Sequence, residues 1–268
     1  MCLIIFAYKV HPKYPLIISA NRDEFYERPT AKAHWWESHP NLLAGKDLKG
    51  GGTWLGVSKS GRFAALTNYR DLQHIRTDAP TRGALVTDFL VNDDVSAMEY
   101  LHSIPNDEAY NGYNLLLYEN EKLFWHSNVS GESRQLKAGI YGVSNALLDT
   151  PWPKVENGKA FLKDLLTQNS DIFEVEKAFD YLKNTNKPND KELPDTGVGI
   201  ELERLLSPLY IQSPKYGTRC STVVLVDVEG RIRFEERVYG EEGEGEVFEV
   251  LIVTFCCDNK KATEKAYV

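Results

Sequence analysis

The chain has 268 residues, of which 42% are hydrophobic and 26% charged, a composition typical of a globular protein. Its formal net charge of −8 argues against nucleic acid or an anionic membrane as the main partner, because both are bound by basic surfaces. No apolar run is long enough to cross a bilayer, and the N-terminal run lacks the basic start of a signal peptide. We therefore predict a single domain over residues 1–268, without an integral membrane segment, in the cytoplasm.

The N-terminal part of the chain is predicted to form β-hairpins. Two short apolar runs, Leu3–Tyr8 and Leu16–Ala20, are joined by a loop that contains two prolines. The polar stretch Glu24–Gly52 is predicted to be a long excursion without core secondary structure. A second hairpin is predicted from Trp54–Ser58 and Arg62–Thr67, across a turn that contains a glycine.

The middle of the chain alternates between helical and strand patterns. Helical spacing of apolar residues predicts helices before and after a third hairpin. The predicted elements are helices from about Thr81 to Leu90 and Val95 to Ser103, strands over Tyr113–Tyr118, Lys122–His126 and Ile140–Ser144, and helices over Trp152–Thr167 and Asp171–Asn184.

The C-terminal part returns to strands. After a loop over Lys187–Gly197, strands are predicted over Ser221–Val228, Arg231–Val238 and Val247–Phe255, and the acidic tract Gly240–Glu246 is predicted to be a solvated turn. Strands at both ends with grouped helices between them indicate an α+β fold rather than alternating βαβ units. Neither a G-x-G-x-x-G nor a P-loop pattern is present, so a nucleotide site has no support.

The four cysteines show no zinc or redox spacing. Cys256 and Cys257 follow an apolar run and are predicted to be buried free thiols of a strand, while Cys220 lies near the start of another strand. Free thiols fit a reducing compartment.

Cys2 has a distinct chemistry because the initiator methionine is usually removed before a small second residue. Removal of Met1 leaves a thiol and an α-amine on one residue, and an α-amine with a pKa of about 7.7–8.0 can accept the thiol proton. The apolar strand that follows would hold this terminus in place. The alternative is that Cys2 only begins a strand of the sheet.

Polar residues at the ends of four predicted strands are candidate partners of Cys2. The first hairpin returns Asn21-Arg22-Asp23-Glu24 to the level of residue 2, where arginine favours a thiolate and a carboxylate orients an amine or the arginine. Asn68 and Asn145 each follow a short strand, where an amide group can donate to an oxyanion. Arg219 precedes the strand from Ser221. Each of these residues is alternatively an ordinary turn residue or part of a solvated ion pair.

Three tryptophans lie in or beside the predicted excursion. Trp35, Trp36 and Trp54 either line an apolar substrate pocket or anchor the long loop to the core. His34 and His39 flank the first two, but their spacing does not suit a metal site, and we predict no metal and no cofactor.

The tetrad Asn21–Glu24 after a strand that starts at Cys2 resembles the signature of the NRDE family, also called the transport and Golgi organisation protein 2 family. The resemblance covers essentially the whole chain. Further matching blocks are Gly51-Gly52-Thr53-Trp54-Leu55-Gly56, Ala65-Leu66-Thr67-Asn68-Tyr69-Arg70, Gly142-Val143-Ser144-Asn145-Ala146 with Trp152-Pro153-Lys154, and Gly217-Thr218-Arg219-Cys220-Ser221-Thr222.

The family is in turn similar to the cysteine N-terminal-nucleophile (Ntn) amidases of the bile-salt-hydrolase and penicillin-V-acylase group. This resemblance implies a four-layer αββα sandwich of two mainly antiparallel sheets. It implies Cys2 as nucleophile and base, with Arg22 and Asp23 beside it, Asn68 and Asn145 at the oxyanion and the amine, and Arg219 as a late arginine. In that group the arginine and aspartate are separated by two residues, whereas here they are adjacent, which leaves Glu24 as an alternative acidic residue.

Two functions follow as hypotheses. The first is an enzyme that cleaves a linear amide or other acyl bond of a small molecule through an acyl-enzyme on Cys2, with Asn21, Glu24, Trp35, Trp36 and Trp54 at the substrate. The second is a protein of the same fold that binds or carries an acyl lipid, acyl-CoA or haem without turnover, as the family's association with trafficking, lipid metabolism and haem handling implies.

Overall fold

In the part of the chain that the structure describes, two antiparallel sheets of seven strands each form the centre of the protein. The computed structural model describes residues 2–104, 107–168, 172–240, 247–257 and 265–267. The strands are β1 (Cys2–Tyr8), β2 (Leu16–Phe25), β3 (Thr30–Trp36), β4 (His39–Asp47), β5 (Leu55–Ser58), β6 (Phe63–Asn68), β7 (Tyr113–Glu119), β8 (Lys122–Ser127), β9 (Glu132–Gln135), β10 (Gly139–Val143), β11 (Tyr216–Val226), β12 (Arg231–Tyr239), β13 (Val247–Cys256) and β14 (Lys265–Tyr267). The first sheet has the order β10-β1-β2-β11-β12-β13-β14 and the second β3-β4-β5-β6-β7-β8-β9.

Helices cover the outer face of each sheet. They are α1 (Gly83–Val91), α2 (Ala97–Ser103), α3 (Pro153–Gln168), α4 (Val175–Leu182) and α5 (Ile200–Leu206), and single 3₁₀ turns occur at Leu72–His74, Asp107–Ala109 and Asp190–Glu192. The helix α2 begins with a capping box in which Ser96 and Glu99 satisfy each other's backbone N–H groups.

Three hydrophobic clusters separate the four layers. Alternate residues of β1 explain the arrangement, because successive side chains of a strand point to opposite faces. Ile4 and Phe6 pack between the two sheets, whereas Leu3 and Ile5 pack beneath α3 and α4. A third cluster around Phe89 fills the space between the second sheet and α1 and α2. The layers are therefore α, β, β and α, as the family resemblance implied.

The first hairpin is confirmed, but its second strand is longer than predicted. The strand β2 continues to Phe25, so Asn21–Glu24 lies within a strand rather than after one. This is possible because β2 is a central strand: its backbone groups pair with β1 on one side and with β11 on the other.

The prediction that Glu24–Gly52 is an excursion without core secondary structure is wrong. This stretch forms β3 and β4, which pair at the edge of the second sheet. Register shifts between Ala31 and His34 and between Trp35 and Trp36 break the alternation by which a strand is recognised in the sequence. Short elements were also missed, namely β9, β14, α5 and all three 3₁₀ turns, one of which lies within the loop predicted at Lys187–Gly197.

The cysteine predictions are partly confirmed. Cys2 and Cys220 are buried thiols, whereas Cys256 and Cys257 are only partly buried. Cys256 ends β13, which pairs with β12 on one side and with the short β14 on the other. Residues 241–246 of the predicted acidic turn lie outside the described residues, as does Met1.

Candidate active site

Cys2 and Arg22 lie opposite each other on neighbouring strands. The antiparallel register of β1 and β2 pairs Cys2 with Arg22 and Leu3 with Asn21. Cys2 is 9% exposed and Arg22 is 5% exposed, so both side chains lie below the surface, at the end of the first sheet where β1 begins. The guanidinium of Arg22 donates to Thr30 Oγ1 at 3.2 Å and lies over the indole of Trp54, 4.1 Å from the ring centroid.

The tetrad that follows Ala20 divides between the two faces of the first sheet. Asn21 faces the helical layer, where its side-chain amide donates to the carbonyl oxygens of Leu182 at 2.8 Å and Leu209 at 2.9 Å. Asp23 is on the same face and accepts a hydrogen bond from Thr218 Oγ1 at 2.7 Å. Arg22 points between the sheets. Asn21 therefore fastens the sheet to the helices and does not contact the cavity described next.

A cavity of about 420 Å³ opens over Cys2 between the two sheets and the loops before α1. Its wall is strongly charged: the cationic side chains are Arg22, Arg28, Lys49 and Arg82, and the acidic ones are Asp23, Glu24 and Asp47. Trp54, Leu66 and Asn68 also line the cavity.

Glycines allow the loop after β4 to reach this cavity. Asp47 Oδ1 accepts hydrogen bonds from the backbone N–H groups of Lys49 at 3.0 Å and Gly50 at 3.1 Å, while its Oδ2 binds Arg28 at 2.6 Å. Gly51 has a φ of 79°, a conformation that favours glycine. At Gly52, a Cβ would lie 2.3 Å from the backbone carbon of Gly83, so only glycine lets the loop pack against the start of α1.

Asn145 connects three segments beneath the cavity wall. Its side-chain amide donates to the carbonyl oxygen of Asn68 at 2.8 Å, and its own carbonyl accepts from the N–H of Arg70 at 2.8 Å. The preceding Ser144 donates to the carbonyl oxygen of Cys2 at 3.1 Å. Asn68 thus lines the cavity, whereas Asn145 is buried and holds the backbone of Asn68, and Ser144 holds the start of β1.

Arg219 is the extra residue of a β-bulge. The register of β11 against β2 shifts between Thr218, which pairs with Asp23, and Cys220, which pairs with Arg22. The Arg219 guanidinium donates to the carbonyl oxygens of Phe25 at 2.9 Å, Tyr26 at 3.2 Å and Arg28 at 3.2 Å. It therefore fixes the turn that carries Arg28 and does not itself line the cavity.

Burial sets the protonation of the central groups. Desolvation raises the pKa of the Cys2 thiol, and the charge of Asp23 raises it further, while Arg22 and the N–H of Asp23 lower it. Burial also raises the pKa of Asp23, against the lowering effect of Lys154 and Thr218. Arg82 has its pKa lowered by burial, and Cys2 and Glu24 act on it electrostatically. The resting thiol is therefore neutral and needs a base to react.

Sequence analysis missed several residues of this site. Lys154 is 4% exposed and interacts electrostatically with Asp23 and Cys2, although it lay within one of the matching blocks. Arg82 follows from no motif, because it reaches the cavity only through the contact of α1 with the glycine loop. Arg28 and Asp47 were missed because the stretch Glu24–Gly52, which contains both, was predicted to lack core secondary structure.

The predicted residues do not all meet in one place. Cys2, Arg22, Asp23, Glu24, Trp54 and Asn68 line the cavity. Trp36 is instead buried with Phe89 on the helical side of the second sheet, where its indole N–H donates to the carbonyl oxygen of Ala44 at 3.0 Å. Trp35 packs edge-on against Phe255 between the sheets. Both therefore act as anchors, the alternative that the sequence left open, and not as pocket residues.

A second cavity of about 370 Å³ adjoins the first and shares Asn68, Arg82 and Asn111 with it. Leu72 and Ile75 give it an apolar wall. Within the described parts of the chain, no group of three histidine, cysteine, aspartate or glutamate side chains is arranged to hold a metal ion. No helix there combines the length and the apolar character needed to span a membrane.

The two antiparallel sheets between helical layers have the arrangement of an Ntn-hydrolase-like fold. Consistent with this, the protein resembles the crystal structure of the C2A mutant of conjugated bile acid hydrolase from Clostridium perfringens. The TM-score is 0.51 at 9% sequence identity, and the alignment covers 100% of this chain and 97% of the other.

The family model of Transport and Golgi organisation 2 matches residues 1–241, and the chain belongs to this family. It is 36% identical over 262 residues to Transport and Golgi organization protein 2 homolog of Bos taurus, covering 88% of this chain and 92% of the relative. It is 31% identical over 277 residues to Transport and Golgi organization protein 2 of Drosophila melanogaster, covering 92% and 95% respectively.

Proposed function

We propose that this protein is an N-terminal-cysteine hydrolase that cleaves a linear amide, or another acyl bond, of a small molecule. The observation that carries the proposal is the placement of Cys2 at the start of a central strand, opposite Arg22 and on the wall of a 420 Å³ cavity. The neighbour of similar fold is a hydrolase whose C2A mutant was crystallised, which supports the same choice of residue.

The first step requires removal of Met1, which gives Cys2 an α-amine. With a pKa of about 7.7–8.0, this amine is partly neutral at physiological pH and accepts the thiol proton. The raised pKa of the buried thiol is consistent with a thiolate that forms only as the amine takes this proton. Arg22, fixed by Thr30 and Trp54, stabilises the negative sulfur.

The thiolate then attacks the carbonyl carbon, and the carbonyl oxygen becomes an oxyanion. Asn68 lines the same cavity as Cys2 and is the candidate side-chain donor to this oxygen. Because Asn145 holds the backbone of Asn68, the donor is positioned before the reaction begins, which is the condition for effective electrostatic stabilisation.

Collapse of the tetrahedral intermediate breaks the carbon–nitrogen bond. The α-ammonium of Cys2 returns its proton to the leaving amine, and a thioester remains on Cys2. A water molecule then gives a proton to the α-amine and attacks the thioester, which releases the carboxylic acid and restores the thiol.

The charges of the cavity favour a substrate with an anionic group. Asp47 is bound to Arg28, and Glu24 lies 4.0 Å from Arg22 and 3.8 Å from Arg28. Arg82 has no carboxylate within ion-pair distance among the described residues, and its one direct hydrogen bond is to the carbonyl oxygen of Gly112 at 3.0 Å. It therefore remains available to a carboxylate or phosphate of the substrate.

The test combines intact-mass spectrometry with an acylating probe, p-nitrophenyl butyrate. We expect a mature chain that begins at Cys2 and that gains one butyryl group as p-nitrophenolate leaves. The Cys2→Ser variant should lose the rapid labelling, whereas Cys220→Ser, which changes a buried thiol on the neighbouring strand β11, should retain it. Retention of Met1, or equal labelling of the Cys2→Ser variant, would contradict the proposal.

A binding protein without turnover is the second candidate, and the second cavity favours it. Its exposed Leu72 and Ile75 offer an apolar surface for an acyl chain. Saturable binding of a fluorescent fatty acid that survives Cys2→Ala, without acylation of the wild-type protein, would favour this function. Haem fits less well, because the cavity over Cys2 is walled by charged side chains, which do not match an apolar macrocycle.

A further inference from the structure

The segment Ser144–Ala146, which follows β10, leaves the first sheet close to Cys2. The ladder of β1 and β10 ends where Ile4 lies opposite Val143, and Cys2 extends two positions beyond this last pair. On its other side Cys2 pairs with Arg22 of β2. Among the described residues, a strand thus pairs with Cys2 on one side only. A chain end in this situation frays unless another group holds it.

The Ser144 hydroxyl supplies the hydrogen bond that β10 no longer provides. It donates to the carbonyl oxygen of Cys2 at 3.1 Å and lies 3.3 Å from Oδ1 of Asn145, so these two acceptors share its single proton. Ser144 is 2% exposed, and water therefore does not compete for this contact. Removal of Met1 would change only the amino group of Cys2 and would leave the carbonyl in place.

Two asparagines fasten the same segment to the second sheet. The side-chain amide of Asn145 donates to the carbonyl oxygen of Asn68, the last residue of β6, at 2.8 Å. The side-chain amide of Asn114, in β7, donates to the carbonyl oxygen of Ala146 at 2.9 Å and to Oγ1 of Thr67 at 3.1 Å. The segment is thus held at the end of β6 by two buried side chains.

Trp125 fixes the orientation of the Asn114 amide. Its indole N–H donates to Asn114 Oδ1 at 3.2 Å, and because an indole can only donate, the amide nitrogen must point to the two acceptors. Trp125 is 1% exposed and packs between the two sheets. The attachment of the segment to the second sheet is therefore rigid, whereas its side-chain attachment to Cys2 is the single hydroxyl of Ser144.

We propose that Ser144 is a positioning residue for the acylation of Cys2, because its hydroxyl fixes the start of β1 relative to Asn68. The inference rests on the proposed function, in which the Cys2 sulfur attacks a carbonyl carbon whose oxygen is bound by Asn68. Both groups must meet one substrate carbonyl, and a displacement of about 1 Å can slow a reaction about a hundred-fold. Cys2 and Asn68 line the cavity, whereas Ser144 lies outside its wall and acts through them.

The experiment compares Ser144→Ala with wild type in the rate of Cys2 acylation by p-nitrophenyl butyrate, measured as a function of ester concentration. We expect the rate at saturating ester to fall by about ten-fold, because the reacting groups lose their alignment. The ester concentration that gives half of this rate should change by less than about two-fold, because the residues that line the cavity are unchanged. A Ser144→Ala variant that does not fold is replaced by Ser144→Cys, whose thiol is only a weak donor.

Tyr8→Phe is the matched control at the opposite end of β1. The buried Tyr8 hydroxyl donates to the carbonyl oxygen of Glu121 at 2.8 Å, so this variant also removes one hydrogen bond between a hydroxyl and a carbonyl group that involves β1. Both variants should lower the temperature of thermal unfolding by about 2–4 °C. Only Ser144→Ala should slow acylation, because Tyr8 lies six residues from Cys2 along the strand.

A double variant identifies the route of the effect. Asn68→Ala removes the candidate oxyanion donor and should slow acylation by about a hundred-fold. If Ser144 aligns Cys2 with Asn68, adding Ser144→Ala to Asn68→Ala should slow the reaction by less than about two-fold, since the alignment no longer matters.

Three results would overturn the inference while leaving the proposed function intact, provided that wild type is acylated. They are a Ser144→Ala variant that acylates at the wild-type rate, an equal loss of rate in Tyr8→Phe, and a ten-fold effect of Ser144→Ala that persists without Asn68. A wild-type protein that retains Met1 or is not acylated would instead remove the proposed function, and this inference with it.

Discussion

Arg22 and Trp54 join the two sheets beneath Cys2. Arg22 belongs to β2 of the first sheet, Trp54 immediately precedes β5 of the second, and the guanidinium carbon lies 4.1 Å from the ring centroid. The indole also packs against Gly45, where a Cβ would lie 2.2 Å from the ring. The position of Arg22 beside the thiol therefore depends on an aromatic ring from the opposite sheet.

Replacing Trp54 by leucine should affect both stability and reactivity. Loss of the cation–π contact and of part of the packing should lower the free energy of unfolding by about 1–3 kcal/mol, measured by urea denaturation. Acylation of Cys2 should slow, because Arg22 loses its support. Trp35→Leu is the matched control: it removes a tryptophan packed on Phe255 away from the cavity and should lower stability without slowing acylation. Equal acylation rates in the two variants would contradict this role of Trp54.

Gly52→Ala should strongly destabilise the protein. The added Cβ would lie 2.3 Å from the carbon and 2.6 Å from the oxygen of Gly83, and these backbone atoms cannot turn aside as a side chain would. We expect a loss of more than about 2 kcal/mol in urea unfolding, within the range of severe steric changes. Gly240→Ala, which adds its Cβ to open space, should change stability by less than about 0.5 kcal/mol. Similar stabilities of the two variants would refute the close approach.

Asp47 should contribute stability that depends on pH. Burial raises the pKa of this carboxyl, but the hydrogen bonds from Arg28, Gly50 and Lys49 outweigh it, so the pKa is lowered overall. A carboxylate with a lowered pKa stabilises the folded state above its unfolded pKa of about 3.9, and this stabilisation is lost as the pH falls further. Asp47→Asn should therefore be less stable than wild type at pH 7, with a difference that shrinks below about pH 4.

Urea unfolding of both proteins between pH 3 and pH 7 measures this difference. Asp94→Asn, at an exposed position away from the cavity, serves as the control and should follow wild type throughout. A deficit of Asp47→Asn that is the same at pH 3 and pH 7 would exclude ionisation as its cause.

Arg82→Gln should change the preference for charged substrates. The guanidinium lies on the wall of both cavities and interacts electrostatically with Cys2. With a pair of p-nitrophenyl acyl esters that differ only in a terminal carboxylate or methyl group, we expect kcat/KM for the anionic ester to fall by about ten-fold and that for the neutral ester to change little, as loss of one charge-assisted contact implies. Arg134→Gln, a half-exposed arginine on β9, should affect neither ester. An equal loss for both esters would assign Arg82 a structural role instead.

The fold was largely predictable because its central strands are apolar and its hairpins are local. The strands from Leu3 and Leu16 follow from their composition, and their pairing returns Arg22 to Cys2 without any long-range information. The strands β3 and β4 could not be predicted in this way. They lie at an edge, carry polar residues, and contain register shifts that disrupt the alternation of buried and exposed side chains.

The candidate site was predicted less completely, for reasons specific to each residue. Asn145 was identified by its place after a strand, but its amide binds a backbone carbonyl rather than facing the cavity, a choice that only packing decides. Lys154 was overlooked because lysines in helices are mostly exposed, and nothing local shows that one is buried. Arg82 lies far from Cys2 in the sequence, and it lines the same cavity next to the point where Gly52 packs closely against Gly83.

The bulge at Arg219 is an insertion that leaves both faces of β11 unchanged. Thr218 would still pair with Asp23, and Cys220 with Arg22, if the extra residue were removed and the ladder became regular. The inserted Arg219 adds a guanidinium that donates hydrogen bonds to three carbonyl groups of the turn from Phe25 to Arg28. Deletion of Arg219 is thus expected to leave the sheet intact while the turn from Phe25 to Arg28 loses these hydrogen bonds. The turn, which carries the cavity residue Arg28, would then become more mobile without a change in the strands that carry Cys2 and Arg22.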